Sequence, residues 1–178
     1  MATLTASTET PARPSLATGA LVLGLGMAAV VGGALGFEHI GGYVPCKLCL
    51  AQRVPYYTAI PVMLSAALVL RTGPRMLATV LLAIGGALMA YAAYLGVHHS
   101  GVEWGWWAGP TDCGVVEGGV GAISGDNLLD SIDAVRPPSC NEAAGRFLGL
   151  SFAGWQVVAA VPLAIGSFAL ATRSRRTA

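Results

Sequence analysis

The stretch that decides the fold is VPCKLCLAQRVPYYTAIPVMLSAALVL, residues 44–70, in which a pair of cysteines leads directly into an apolar run. From Val54 to Leu70 this run carries no charge. A helix needs roughly 20 apolar residues to cross a hydrocarbon core about 30 Å thick, so Arg53 must lie near the boundary or reach towards it. The stretch therefore predicts a membrane helix that begins at a cysteine pair.

The composition of the whole chain also indicates a membrane protein. Of its 178 residues, 54% are hydrophobic and only 11% are charged, which is too apolar for an ordinary soluble domain. A formal net charge of +1 offers no attraction to nucleic acid. Four runs are long enough to cross a membrane, at about 16–37, 50–70, 76–97 and 152–172. The sequence predicts an all-α membrane protein built as a four-transmembrane-helix bundle.

Glycines in the first and third runs predict close contacts between helices. Helices in membranes associate through small residues that let their backbones approach each other. The residues concerned are Gly24, Gly26, Gly32, Gly33, Gly85 and Gly86.

The arginines predict which helix ends face the cytoplasm. Six of the nine arginines lie before the first run, between the second and third runs, or after the fourth, at Arg13, Arg71, Arg75, Arg173, Arg175 and Arg176. By the positive-inside rule, we expect residues 1–15 and 173–178 to be cytoplasmic tails on either side of a membrane domain at 16–172. A cleaved signal peptide is the alternative for the first run, which is longer than the roughly 7–15 apolar residues usual for such a segment.

The other two connections, at about 38–49 and 98–151, then face outward and contain every cysteine of the chain. These are Cys46, Cys49, Cys113 and Cys140. The same connections contain all but one of the nine acidic residues. Cysteines confined to one face imply an oxidising compartment in which disulfides form and persist.

Cys46 and Cys49 form a C-x-x-C motif, whose spacing alone suits several chemistries. Covalent haem attachment requires a histidine after the second cysteine, and Leu50 occupies that position. A zinc site of four cysteines usually has a second close pair, so we expect no metal. From the cysteines alone, structural disulfides that brace the loops and dithiol redox chemistry both stay open.

Arg53 favours the redox interpretation. If the second helix begins near Leu48, Cys49 lies in its first turn, where unpaired N–H groups and the positive end of the helix dipole favour a thiolate. Arg53 follows Cys49 by one helical turn, so its guanidinium lies on the same face. There it can stabilise the thiolate and donate to an oxygen acceptor, which a structural cystine does not need. An isolated arginine at a helix end is more often an interfacial anchor.

The second cysteine pair lies in a long, glycine-rich connection that we expect to be mobile. An external thiolate can reach a disulfide in such a loop through a mixed disulfide, so the loop is a candidate docking site. The alternative is a purely structural disulfide that closes the loop and stabilises the folded chain. Between these cysteines, apolar and acidic residues at helical spacing predict a short amphipathic helix on the membrane surface. They are Asp126, Leu128, Leu129, Asp130, Ile132, Asp133 and Val135.

The order of these features resembles the disulfide bond formation protein B family, DsbB. The resemblance covers about 16–172 and rests on P-C-x-L-C-x-x-Q-R at 45–53, the two loop cysteines, and RFLGLSFAGWQ at 146–156. It implies a thiol:quinone oxidoreductase of the bacterial inner membrane. Such a protein reoxidises a periplasmic DsbA-like thiol oxidase of thioredoxin fold and passes the electrons to a membrane quinone, either ubiquinone or menaquinone.

The resemblance also implies an order of events among the four cysteines. The partner's reactive cysteine attacks Cys113, and Cys140 then exchanges with Cys46. This exchange frees Cys49 as the thiolate next to the quinone.

Four further residues are candidates for contacting the quinone. Arg53 matches the quinone-facing arginine of the family, and Gln52 belongs to the same motif. His98 and His99 follow the third span near the membrane surface, where solvated histidines are the common alternative.

The residues themselves, apart from the family resemblance, also indicate transfer of electrons from cysteines to a quinone. Electrons that arrive as dithiols need a two-electron acceptor, and the sequence has no dinucleotide-binding glycine fingerprint after a strand. A lipid-soluble quinone is the natural acceptor at a membrane edge. Two alternatives are a non-catalytic four-span protein whose disulfides brace an outer surface, and a vitamin-K-epoxide-reductase-like enzyme. In the latter the C-x-x-C usually lies towards the end of a later helix.

Overall fold

The structure, a computed structural model, describes residues 15–109, 140–141, 143 and 145–176. Its main elements are four helices: α1 (Leu16–His39), α2 (Lys47–Thr72), α3 (Arg75–Glu103) and α4 (Phe152–Arg176). All four are long and apolar enough to cross a membrane. The predicted four-helix membrane architecture is confirmed. The predicted surface helix at about 126–135 and the loop cysteine Cys113 lie outside the described residues.

Helix α2 begins at Lys47, one residue before the expected start near Leu48 and three before the apolar run at 50–70, because Cys46 caps it. Cys46 has extended backbone angles (φ −77°, ψ 169°), and its Sγ accepts a hydrogen bond from the Cys49 N–H at 3.3 Å. A side chain that accepts from the third residue of a helix satisfies one of its unpaired N–H groups. The first cysteine of the motif therefore lies just outside the helix and the second lies in its first turn.

Helix α3 continues past the predicted end at Val97 and reaches Glu103. The apolar run ends where His98 and His99 begin, which is why the sequence predicted a loop there. Tertiary packing extends the helix, because Gly101 and Val102 are buried beyond these histidines. Both histidines are consequently fixed on a helix.

A short hairpin leads into α4. Strands β1 (Arg146–Phe147) and β2 (Leu150–Ser151) pair antiparallel, and Leu148 and Gly149 form the turn between them with positive φ angles of 50° and 83°. Directly after the hairpin, the ring of Phe152 packs against Phe37 at the end of α1, with ring centroids 5.0 Å apart. This contact joins the ends of α1 and α4 that flank the start of α2.

Helix α3 packs on both α2 and α4, and α1 packs mainly on α2. The approach is close at small residues: a Cβ added to Gly85 would lie 2.5 Å from Met63 Sδ, and one added to Gly96 would lie 2.8 Å from Val157 Cγ2. Close packing was predicted correctly at Gly85, and likewise at Gly24, Gly26 and Gly86.

The same prediction is wrong at Gly32 and Gly33. A Cβ added to either glycine would meet no described atom within 4 Å. Gly33 instead lines a cavity between helices. Small residues permit close approach but do not enforce it, so this part of α1 leaves space beside the cysteine pair.

Candidate functional site

The site is built around the N-terminus of α2, where the two cysteines of the motif touch. Cys46 Sγ and Cys49 Sγ lie 2.9 Å apart, with the Cys46 thiol as donor. Cys46, Cys49 and Cys140 are free thiols in this structure. The hydrogen bond to Cys49, together with burial, raises the pKa of the Cys46 thiol to about 12. Cys46 therefore keeps its proton at neutral pH and donates it towards the Cys49 sulfur.

Cys140 lies against the same helix start, although it is far away in sequence. Its thiol interacts with the Cys46 thiol and with the backbone N–H groups of Lys47 and Leu48. Burial raises the pKa of the Cys140 thiol, and the two N–H groups partly oppose this rise. Three of the four predicted cysteines thus meet at one point. The fourth, Cys113, lies outside the described residues.

A cavity of about 320 Å³ lies beside Cys49, between α1, α2, α4 and the α1–α2 connection. Its walls are largely apolar and include Phe37 of α1 and Phe152 of α4. Cys49, Gln52 and Arg53 of α2 line it, and Glu38 of α1 and Gln156 of α4 add further polar groups. A mostly apolar space with a few converging polar groups is typical of a site for a small organic molecule.

Arg53 is held in this cavity by a carboxylate that the sequence analysis did not single out. Its Nη1 donates to Glu38 Oε2, and the two side chains are only 13% and 26% exposed. From the sequence, Glu38 belonged to the acidic outer connection, whereas it lies in the last turn of α1. The sequence did contain a signal for this ion pair. Glu38 ends an apolar span near an interfacial arginine, and charged groups in such positions are usually paired with each other.

Gln52 and His99 meet behind the cysteine pair. The Gln52 side-chain nitrogen donates to His99 Nδ1 at 2.7 Å, and the other ring nitrogen, Nε2, lies 3.6 Å from Cys46 Sγ. Gln52 is 6% exposed and His99 is 3% exposed. The alternative of a solvated interfacial histidine is therefore wrong for His99. Its contact with a quinone stays a prediction, because the ring faces Cys46.

Glu103 completes this buried group. Its Oε1 lies 3.8 Å from His99 Nε2, and its side chain is 4% exposed. Its second oxygen, Oε2, has no hydrogen-bond partner among the described residues. The sequence analysis did not single out Glu103, although its spacing of four residues from His99 on a helix was a usable signal.

His98 faces a different neighbourhood. Its ring stacks on Trp107, with centroids 5.6 Å apart, and its carbonyl oxygen accepts from Trp107 Nε1 at 2.7 Å. His98 is not among the residues that line the cavity. Its predicted contact with a quinone stays a prediction without support from this geometry.

The donor atoms of Cys46, Cys49 and His99 lie within 4.8 Å of one another, which is close enough for one metal ion to be a candidate ligand. Two thiolates bound to one tetrahedral zinc at about 2.3 Å each would stand roughly 3.8 Å apart. The two sulfurs here are 2.9 Å apart, so this donor set fits zinc only if the side chains move. The expected absence of a metal stays a prediction.

Comparison with protein-family models gives a match to the family described as disulfide bond formation protein DsbB, over residues 17–170. A search of curated proteins found no significant match, and neither did a search of solved structures. The family match covers most of the chain, including the start of α2 and every cysteine. The protein therefore belongs to the DsbB family and is a multi-pass membrane oxidoreductase of disulfide bond formation.

Proposed function

We propose that this protein is a thiol:quinone oxidoreductase that reoxidises a DsbA-like thioredoxin-fold thiol oxidase in the periplasm. The observation that carries the proposal is that Cys49 and Arg53 line one largely apolar cavity. A volume of about 320 Å³ lies at the lower end of the range for small-molecule sites, and it suits the head group of a membrane quinone. Ubiquinone and menaquinone are both candidates.

The residues present fit a quinone. Arg53 offers several N–H donors, and its bond to Glu38 among the described residues uses Nη1 alone, so the other N–H groups would be offered to a quinone oxygen. The aromatic rings of Phe37 and Phe152 offer flat apolar contacts on the cavity wall. A bound quinone would accept two electrons and two protons and leave as the quinol.

The cysteines supply those electrons through disulfide exchange. We propose that a partner thiolate attacks Cys113, that the released Cys140 thiolate attacks Cys46, and that Cys49 is freed as a thiolate. The contact between Cys140 and Cys46 supports the middle step, because exchange requires the two sulfurs to meet. A further thiolate must then attack Cys140 and displace Cys46, which leaves Cys46 and Cys49 as a dithiol. Closing the Cys46–Cys49 bond would oxidise this dithiol by two electrons as the quinol forms.

The direct test is to purify the protein from membranes and identify any co-purifying quinone by mass. Reduction of added quinone by a reduced DsbA-type oxidase should then depend on the protein. If the disulfides only brace an outer surface, no turnover will occur, and the cystines will resist reduction as structural ones do, with potentials below about −300 mV.

We further propose that the protein lies in the bacterial inner membrane with both termini in the cytoplasm. The last turn of α4 carries Arg173, Arg175 and Arg176, and Arg71 and Arg75 flank the α2–α3 connection. These basic ends support residues 1–15 and 173–178 as cytoplasmic tails of a membrane domain at 16–172. The start of α2 and the long connection before α4 would then face the periplasm.

Reporter fusions test this orientation. Fusions after Arg75 and at the C-terminus should report the cytoplasm, and fusions near Lys47 and Asp126 should report the periplasm. The reason is that arginines flank the first two sites, and basic residues favour the cytoplasmic side of a membrane. The readout is a paired assay with one reporter active only outside the cytoplasm and another active only inside. A cytoplasmic signal near Asp126 would contradict the redox function, because the cysteines would then face a reducing pool.

A further inference from the structure

The proposed reaction assigns no task to the buried group formed by Gln52, His99 and Glu103. Burying a histidine and a carboxylate next to a reactive thiol costs free energy unless their contacts compensate for the lost hydration. Their contacts converge on one sulfur, because His99 Nε2 lies 3.6 Å from Cys46 Sγ. Cys46 itself is only 5% exposed. Water therefore contributes little to stabilising a charge on this sulfur, and the protein must do so.

Gln52 decides which ring nitrogen of His99 carries the proton. Its side-chain N–H donates to Nδ1, which must therefore accept, so the neutral ring carries its hydrogen on Nε2. That hydrogen lies on the side of Cys46 Sγ and of Glu103 Oε1. A carboxylate at Nε2 also favours a hydrogen at this position.

We propose that His99 is a catalytic residue of the disulfide exchange, donating its Nε2–H to the Cys46 sulfur, and that Gln52 is the positioning residue that fixes this tautomer. The inference rests on the proposed exchange between Cys140 and Cys46. It adds a group that stabilises the Cys46 thiolate whenever that sulfur is the leaving group.

The step that needs this donor is the resolution of a Cys46–Cys140 disulfide. An incoming thiolate attacks the Cys140 sulfur, an S–S bond forms between these two sulfurs, and the Cys46–Cys140 bond breaks. The electron pair of the broken bond remains on Cys46, and no proton moves in the exchange. A leaving thiol whose thiolate is stabilised departs faster.

The other groups around His99 are consistent with this role. Among the described residues, the titratable groups that face it are Cys46 and Cys49 at the start of α2 and Glu103 on its own helix. A thiolate and a carboxylate close together would repel each other, and Nε2 of His99 lies within 3.8 Å of both Cys46 Sγ and Glu103 Oε1. Hydrogen bonding to Cys49 and burial raise the pKa of Cys46, whereas the His99 contact lowers it.

The test measures the Cys46 thiol directly, in a variant that keeps Cys46 as its only cysteine. Its alkylation rate is followed against pH in membranes at matched protein abundance. His99→Leu should move the midpoint of this profile upward by roughly one pH unit, because a hydrogen bond to the charged form is lost. His99→Gln, which keeps a donor, should move it less. Ser100→Ala is the matched control, since Ser100 is also buried and its hydroxyl has no partner among the described residues.

Gln52→Leu provides a second variant if His99→Leu inserts poorly. It leaves the histidine in place but frees the ring, so the midpoint should again rise. An unchanged profile in an inserted His99→Leu or Gln52→Leu variant would overturn the inference. Quinone reduction by the wild-type protein is measured separately, so the inference can fail while the proposed function stands.

Discussion

Replacing Cys140 by serine is expected to abolish oxidation of the DsbA-like partner, with a loss of roughly three orders of magnitude or more in turnover. Serine fits the space but cannot form the mixed disulfide with Cys46 through which we propose that the electrons pass inward. Cys113→Ser should have the same effect, because the proposed docking step needs its sulfur. The measurement is oxidation of a reduced DsbA-type substrate, with quinone in excess and variants at matched membrane abundance.

The same variants should still reduce quinone when a small dithiol is supplied. Such a molecule attacks the Cys46–Cys49 disulfide without the loop cysteines, provided that it can reach Cys46, which is buried and contacts Cys140. Cys46→Ser is the matched control and should lose both activities. Full partner turnover in both Cys113→Ser and Cys140→Ser would show that electrons do not pass through the loop cysteines.

Replacing Arg53 by alanine is expected to raise the apparent KM for quinone and to slow quinone reduction. Losing a charge-assisted hydrogen bond to a quinone oxygen costs about 1.5–3 kcal/mol, which is roughly a ten- to hundredfold loss in affinity or rate. Alkylation of Cys49 at a fixed pH should also slow, because the guanidinium no longer stabilises the thiolate. Insertion of α2 should be unaffected, since the change removes a charge from its membrane end.

Two further variants separate the possible roles of this arginine. Arg53→Lys keeps a cation that can reach the interface, so it should be nearly silent if Arg53 is an anchor and impaired if a planar set of donors is needed. Glu38→Gln keeps the guanidinium but removes its ionic partner, so it measures how far Glu38 orients Arg53. If Arg53→Ala leaves the kinetics of quinone reduction and the alkylation rate of Cys49 unchanged, Arg53 is only an interfacial anchor.

Much of the architecture could be predicted because a membrane imposes a simple rule on sequence. A helix must satisfy its own backbone groups in lipid, so each spanning segment is visible as an apolar run of sufficient length. The four runs correspond to α1–α4. The errors lie at the ends, where hydropathy stops being informative. The polar His98 ended the predicted third span, whereas buried Gly101 and Val102 carry α3 to Glu103.

The sequence by itself determined the helices, the position of the C-x-x-C at the start of α2, and the placement of Arg53 one turn beyond Cys49, because these depend on local spacing. Only the tertiary structure decided which distant groups meet them. It places Cys140 against Cys46, Glu38 against Arg53, and His99 with Glu103 behind the cysteine pair. Contacts between separate helices depend on how their side chains pack in three dimensions, and no periodicity within one segment encodes the register of another.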